Sequence, residues 1–235
     1  MKRTTFVGIA VAGLFLLLVG TAPPANADAI TYSFSGTVNG GAVAGTINFD
    51  VTAAGALTVA ITDTEANPTD VGQLISDLMF NVSGMTSAAT MTSSSGQEVS
   101  IAKTTGVPTL GGTGNAMWGI NSSSTTIILS ALLSGPMNLI IGPGGAGGIY
   151  TNANGSIAGN PGHNPFLTGT VDFDLTIPGL TSVNQISNIL VSFGTSPGSD
   201  LSVTSTTTPE PSSLLLLGTG LLGLGFCVRR RASVS

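Results

Sequence analysis

Apolar and polar residues alternate with a period of two through most of the stretch from residue 30 to residue 205. That is the pattern of strands with one face against a core and one face in water. The longest case is residues 167–177. Leu167, Val171, Phe173, Leu175 and Ile177 fall on one side, and Thr168, Thr170, Asp172, Asp174 and Thr176 on the other. Ile47, Phe49 and Val51 alternate with Thr46, Asn48 and Asp50. Ile30, Tyr32 and Phe34 form a shorter set, as do Leu57, Val59 and Ile61; Leu74, Leu78, Phe80 and Val82 form another, interrupted by Ser76. Further strands are expected over residues 99–103, 125–133, 137–141, 186–193 and 201–203. Two of these, 125–133 and 186–193, are apolar on both faces in part, which suits central strands; the second also suits a short helix.

Turn residues divide the runs: Asn39-Gly40-Gly41, Asn67-Pro68, Ser93-Ser94-Ser95-Gly96, Gly111-Gly112-Thr113-Gly114, Gly142-Pro143-Gly144-Gly145, and the Asn- and Gly-rich stretch 151–165. No long segment has apolar residues at helical spacing with capping signals, and no fixed-period repeat stands out. The fold class expected is all-β, an antiparallel β-sandwich or jelly-roll-like domain.

The two ends break this pattern. Lys2 and Arg3 precede an apolar run over residues 6–19, followed by Pro23, Pro24 and Ala25-Asn26-Ala27. A basic start, a short apolar core and an A-x-A site make a secretory signal peptide over residues 1–27. Ala25 and Ala27 mark signal peptidase cleavage, with Ala29 as an alternative end. Residues 28–203 then form a β-rich ectodomain, 204–208 a polar linker, and 209–231 a separate tail. The tail reads Pro209-Glu210-Pro211, a glycine-interrupted apolar run over 214–228, and Arg229-Arg230-Arg231.

These three elements, in this order, resemble the PEP-CTERM sorting signal of Gram-negative bacteria. The apolar run is at the short limit for a membrane span, which needs about 20 residues. The arginines stay cytoplasmic by the positive-inside rule. The resemblance implies a short C-terminal transmembrane helix, a transient association with the inner membrane, and processing by the membrane protease exosortase at the Pro-Glu-Pro. It also implies a final place at the cell surface or outside the cell, and a link to exopolysaccharide and biofilm.

Composition narrows the rest. Only 7% of residues are charged, against roughly 25% in ordinary domains. Lys103 is the one base between the ends, and the chain carries a net charge of -5. Such a surface repels phosphate backbones, so nucleic-acid binding is excluded. The lone Cys227 lies in the tail, which leaves the ectodomain without a disulfide.

Several local patterns invite chemistry. Gly194-Thr195-Ser196-Pro197-Gly198 matches G-x-S-x-G but lacks the strand-to-helix context of a nucleophile elbow. Gly142 to Gly147 matches G-x-G-x-x-G without a helix after it. Asp63, Glu65 and Asp70 around Asn67-Pro68 offer the oxygen ligands calcium takes, and no other metal or cofactor pattern occurs. Asp172 and Asp174 share one strand face, without a partner that would argue glycoside chemistry. Trp118 and Tyr150 fall outside the clean alternations and could stack on sugar rings, though core filling is the favoured reading of Trp118, since a lone tryptophan buries a large area. His163 is the single histidine. The leading expectation is a non-enzymatic structural or adhesive surface protein whose partners are exosortase and exopolysaccharide or other surface glycans. A carbohydrate-binding module using Trp118 and Tyr150 is the first alternative, and a secreted hydrolase using His163 the second.

Overall fold

The computed structural model describes residues 28–133, 135, 137–159, 162–195 and 200–202. The expected signal peptide, linker and sorting tail lie outside the described residues. Within them are twelve strands: β1 (Asp28–Val38), β2 (Gly41–Ala53), β3 (Ala56–Asp63), β4 (Ile75–Val82), β5 (Thr90–Ile101), β6 (Pro108–Gly114), β7 (Gly119–Ser122), β8 (Thr126–Ser130), β9 (Ile140–Ile141), β10 (Phe166–Thr176), β11 (Ile186–Phe193) and β12 (Asp200–Ser202). One turn of helix, α1 (Ser156–Gly159), and three short 3-10 turns complete the elements. Among the described residues no helix is long and apolar enough to cross a membrane.

The strands join in one mixed sheet with two wings. One wing runs β1-β2-β3-β10-β5-β6 and the other β12-β11-β4-β8-β7. Two-residue β9 stitches them, antiparallel to β4 at Ile75↔Ile140 and parallel to β10 at Leu167↔Ile140 and Thr168↔Ile141. An antiparallel sandwich was the expectation, and this parallel stitch is the departure from it. A strand of two buried isoleucines carries no pattern that could announce its direction.

Alternation drives the packing. In β2 the residues Val43, Ile47, Phe49 and Val51 are buried, and in β3 Leu57, Val59, Ile61 and Asp63. The inner faces meet through Phe49 on Phe80, ring centroids 5.1 Å apart, and Phe34 on Phe193 at 6.0 Å, both edge to face. Each such side chain contributes about 1.5–3 kcal/mol by burial, and edge-to-face pairs about 0.5–1.5 kcal/mol more.

Three expected breaks or ambiguities resolve as strand. Ser93-Ser94-Ser95 lies inside β5, paired with Asp174, Phe173 and Asp172 of β10. Gly111-Gly112-Thr113-Gly114 lies inside β6. Residues 186–193 form β11 and not a helix. The first two run along outer faces or a sheet edge, where backbone pairing needs no apolar side chain. Of the expected strand over 137–141 only Ile140–Ile141 forms.

A repeat that the chain's periodicity does not announce opens β4 and β11. Thr69-Asp70-Val71-Gly72-Gln73 and Thr181-Ser182-Val183-Asn184-Gln185 each form a 3-10 turn closed by a capping box. Gln73 Oε1 accepts from Thr69 N (2.8 Å), Thr69 Oγ1 (3.1 Å) and Asp70 N (3.0 Å). Gln185 Oε1 accepts from Thr181 N (2.7 Å), Thr181 Oγ1 (3.0 Å) and Ser182 N (3.1 Å). Because β3 pairs with β10 around Val59↔Phe173, and β4 with β11 around Leu78↔Val191, the two strand–turn–strand units face each other with approximate twofold symmetry.

Candidate functional site

Most of the chemistry-bearing residues of the ectodomain converge on one place, where the loop after β3 meets the loops after β9. Asn67 N donates to Pro143 O (2.7 Å), and Asn67 Nδ2 donates to Thr151 Oγ1 (2.9 Å). Thr151 N donates back to Asn67 Oδ1 (2.9 Å), and Asn152 Nδ2 donates to Thr69 O (2.8 Å). Val71 N donates to Ser156 Oγ (2.8 Å), whose hydroxyl donates to Asp70 Oδ2 (2.7 Å). His163 Nδ1 lies 2.8 Å from Ser156 O and donates to it.

Beneath this clasp sits Asp63, only 3% exposed. Its Oδ1 accepts from Glu65 N (3.0 Å), while its Oδ2 is buried without a hydrogen-bond partner. Burial, and secondarily the charge of Glu65, pushes its pKa up to about 8. A neutral carboxyl is the form such a site tolerates. Tyr150 donates its hydroxyl to Gly142 O (2.8 Å), and burial, then Asp63, pushes its pKa up to about 12. Position 142 must be glycine: a Cβ there would lie 2.0 Å from Glu65 O and 2.9 Å from Asp63 Oδ1.

The candidate sites fare differently. Trp118 is 4% exposed and Tyr150 3%. Trp118 stacks on Phe173 with ring centroids 5.2 Å apart, and its Nε1 donates to Asn138 O (2.8 Å). The expectation of an exposed aromatic face for sugars is therefore corrected, because both rings fill the core and their polar tips are taken by backbone carbonyls. Asp63, Glu65 and Asp70 do not converge as calcium ligands. Asp70 Oδ1 caps the turn at Gly72 N (2.7 Å) and Asp63 is sealed inside. Among the described residues no group of three or more His, Cys, Asp or Glu side chains could hold a metal ion.

Ser156, His163 and Asp70 do meet, but with the wrong connectivity for a nucleophile. The serine proton goes to the carboxylate, and the imidazole, 7% exposed, bonds the serine's carbonyl. A Ser-His-Asp nucleophile needs the imidazole on the hydroxyl. The G-x-G-x-x-G stretch turns through a 3-10 turn at Ala146–Gly148 and opens no helix long enough to cradle a phosphate. Asp174 accepts from Thr58 Oγ1 (2.9 Å) and Ser93 Oγ (2.6 Å) on the outer face of β10. Beside it the pKa of Asp172 is raised, first by burial and then by Asp174. An open groove of about 450 Å³ between β1 and β12 is lined by Ser33, Ser35, Thr46, Thr64 and Ser202. It presents hydroxyls and no charged group.

Asn152 and Ser156 help carry the clasp, yet sequence reasoning passed over them. Their side-chain partners lie 83 to 86 residues away, beyond any local signal.

Ala25 and Ala27 of the cleavage site lie outside the described residues, as do Pro209, Glu210, Pro211, Arg229, Arg230 and Arg231 of the tail. Residues 207–231 match the PEP-CTERM protein-sorting motif. The chain thus carries the signal that directs exported proteins to exosortase and on to the cell surface or the extracellular space. No curated protein and no solved structure matches it.

Proposed function

We propose that this PEP-CTERM chain is a non-enzymatic structural or adhesive protein of the cell surface or extracellular matrix. Signal peptidase removes residues 1–27. The tail then holds the chain briefly at the inner membrane, with Arg229, Arg230 and Arg231 inside, until exosortase acts at Pro209-Glu210-Pro211. The sandwich-like ectodomain is left outside, where its natural company is exopolysaccharide and other surface glycans. The observation that carries this reading is the sorting motif at residues 207–231. The ectodomain is consistent with it: the polar side chains of its loop junction, Asp63 Oδ2 apart, bond one another or the backbone, as in a domain built to persist.

The test is localisation in a Gram-negative host that contains exosortase. The intact chain is expected in the surface or medium fraction. A variant with Pro209→Ala, Glu210→Ala and Pro211→Ala is expected to accumulate in the inner membrane. Identical distributions of the two would contradict the sorting reading. The glycan link is checked separately by cosedimentation with the host's exopolysaccharide, which the intact chain should join and which an unbound chain would refute.

A further inference from the structure

Strand β1 ends its wing and pairs with β2 alone, antiparallel and in unbroken register. Its other edge runs eleven residues without proline, and Asp28 is its one charge. A sheet edge is protected by charge, proline, shortness or a cover, so this edge calls for a cover. The other wing ends beside it. Leu201 of β12 lies against Gly36 of β1, where a Cβ would stand 3.0 Å from Leu201 Cδ1. Strand β12 is only three residues long. The described residues end at Ser202, on the rim of the groove that Ser33, Phe34 and Ser35 also line.

The neighbours of β12 set its direction. Asp28 Oδ2 at the start of β1 accepts from Val183 N (2.9 Å), just ahead of β11. Phe34 packs on Phe193 towards the other end of the same two strands. Strands β1 and β11 therefore run the same way. Strand β12 is antiparallel to β11, so it heads back along β1 from Gly36 towards Asp28. Its pairing with β11 ends at Leu190↔Ser202, beside the register shift that brackets Asn188, whose φ is +50°. Beyond that irregularity the regular partner within reach is the free edge of β1.

We propose that residues 203–208, Val-Thr-Ser-Thr-Thr-Thr, continue β12 as a strand on the free edge of β1. Carried on from Leu201 beside Gly36, antiparallel pairing sets Ser202 against Ser35, Val203 against Phe34, Thr204 against Ser33 and Thr206 against Thr31. Opposed residues share a face. Leu201 and Val203 then join Gly36 and the buried Phe34 on the inner face, while Ser202, Thr204 and Thr206 join the exposed Ser33 and Ser35 on the outer one. Ser205 and Thr207 meet Tyr32 and Ile30 at the margin of the core, where Ile30 is half-buried. Val and Thr favour strands, and hydroxyl pairs across strands are favourable. The length fits as well. Pro209 is eight residues on from Leu201, and Asp28 is eight residues back from Gly36. Proline has no N–H to give a ladder, so the pairing stops where β1 begins. The groove offers hydroxyls and no charge, which suits a neutral hydroxyl-rich strand. Tethering at its rim makes the contact intramolecular, at an effective concentration of about millimolar.

The docked strand brings Pro209-Glu210-Pro211 to the end of the fold where the mature chain starts, so both processing sites leave from one end. That consequence rests on the sorting reading; the docking does not.

The experiment is disulfide capture in the chain as its host exports it, carrying Cys227→Ala. In Ser33→Cys with Thr204→Cys the two positions are directly opposed, about 4.5–5.5 Å apart at Cα, within the range a disulfide needs. This pair should oxidise nearly completely. Ser33→Cys with Thr208→Cys, four residues out of register, should oxidise at least tenfold more slowly. In the unsubstituted chain, amides of residues 203–208 should be protected from exchange together with β1, and Ser205→Pro should speed the exchange of both at least tenfold. Equal oxidation of the two pairs would overturn the proposal, as would exchange in 203–208 as fast as in an unfolded chain. Protection of the groove only when the host's exopolysaccharide is added would also overturn it and assign the groove to glycan. The capture is repeated with Pro209→Ala, Glu210→Ala and Pro211→Ala, where docking predicts the same cross-link whether or not the tail is processed. Failure of the sorting reading is thereby told apart from failure of the docking.

Discussion

The units β3–turn–β4 and β10–turn–β11 use one local code over two different interiors. Both turns hang on a glutamine whose amide oxygen gathers three donors. In the twofold pairing Leu57 opposes Leu175 and Ile61 opposes Val171, about Val59 and Phe173. Two residues beyond Ile61 comes Asp63; two residues beyond Leu175 comes Ile177. Both side chains are buried. One unit closes its end with a hydrocarbon, the other with a carboxyl that lacks a partner for Oδ2. The difference teaches that the turn code does not dictate what lies beneath it. What lies beneath decides instead how the fold responds to pH.

Five substitutions break or sharpen this comparison. The largest effect is expected from Ile177→Asp, which places a second carboxyl in the all-apolar end. It loses hydrophobic burial and leaves an unpaired polar group, costing about 5 kcal/mol, read as a lower urea midpoint.

Asp63 gives the pH signature. Its folded pKa of about 8 lies above the ordinary carboxyl value of 3.8, so between these pH values the folded state holds a proton that the unfolded state has released. Its contribution is therefore full below pH 3.8 and declines as pH rises towards 8. The slope approaches 1.4 kcal/mol per pH unit at most and sums to on the order of 3 kcal/mol after relaxation. In Asp63→Asn that decline should vanish; a wild type and variant with parallel stability–pH curves would refute the buried neutral acid.

Gln73→Ala should cost about 2 kcal/mol and Gln185→Ala about 1 kcal/mol. Gln73 is buried and donates to Ala42 O (2.8 Å); Gln185 is half-buried and donates to Ser83 O (2.7 Å) and Gly179 O (3.1 Å), and the groups its loss frees can reach water. Equal losses on denaturation would erase the distinction. Smallest is Tyr150→Phe, which leaves Gly142 O without its hydroxyl partner. About 1 kcal/mol is expected, with faster amide exchange along residues 142–151 as the local readout.

Much of the sheet was legible in the sequence because burial on one face writes itself as alternation, as in β2, β3 and β10. Strand β6 was not, since a strand exposed on both faces has no apolar code. Nor was the serine run of β5, where Ser93 and Ser95 are exposed, Ser94 lies opposite the buried Phe173, and the backbone pairs with β10. The paired turns escaped notice because their likeness lies in hydrogen bonding over five residues, not in a repeat long enough to register. At the loop junction Asp70 and His163 were singled out for other roles, and Ser156 was passed over. Asp70, Ser156 and His163 are common components of both catalysis and structure, and only their connectivity separates the two. Trp118 and Tyr150 stood outside the alternation because they come from loops that fold back over the core.

The sorting signal is the claim on which the functional account rests. Mass spectrometry of the mature protein, recovered from cells that contain exosortase, tests it most directly. The account predicts a chain that has lost residues 1–27 and everything beyond the Pro-Glu-Pro at 209–211. A chain from such cells that still ends at Ser235 would contradict it.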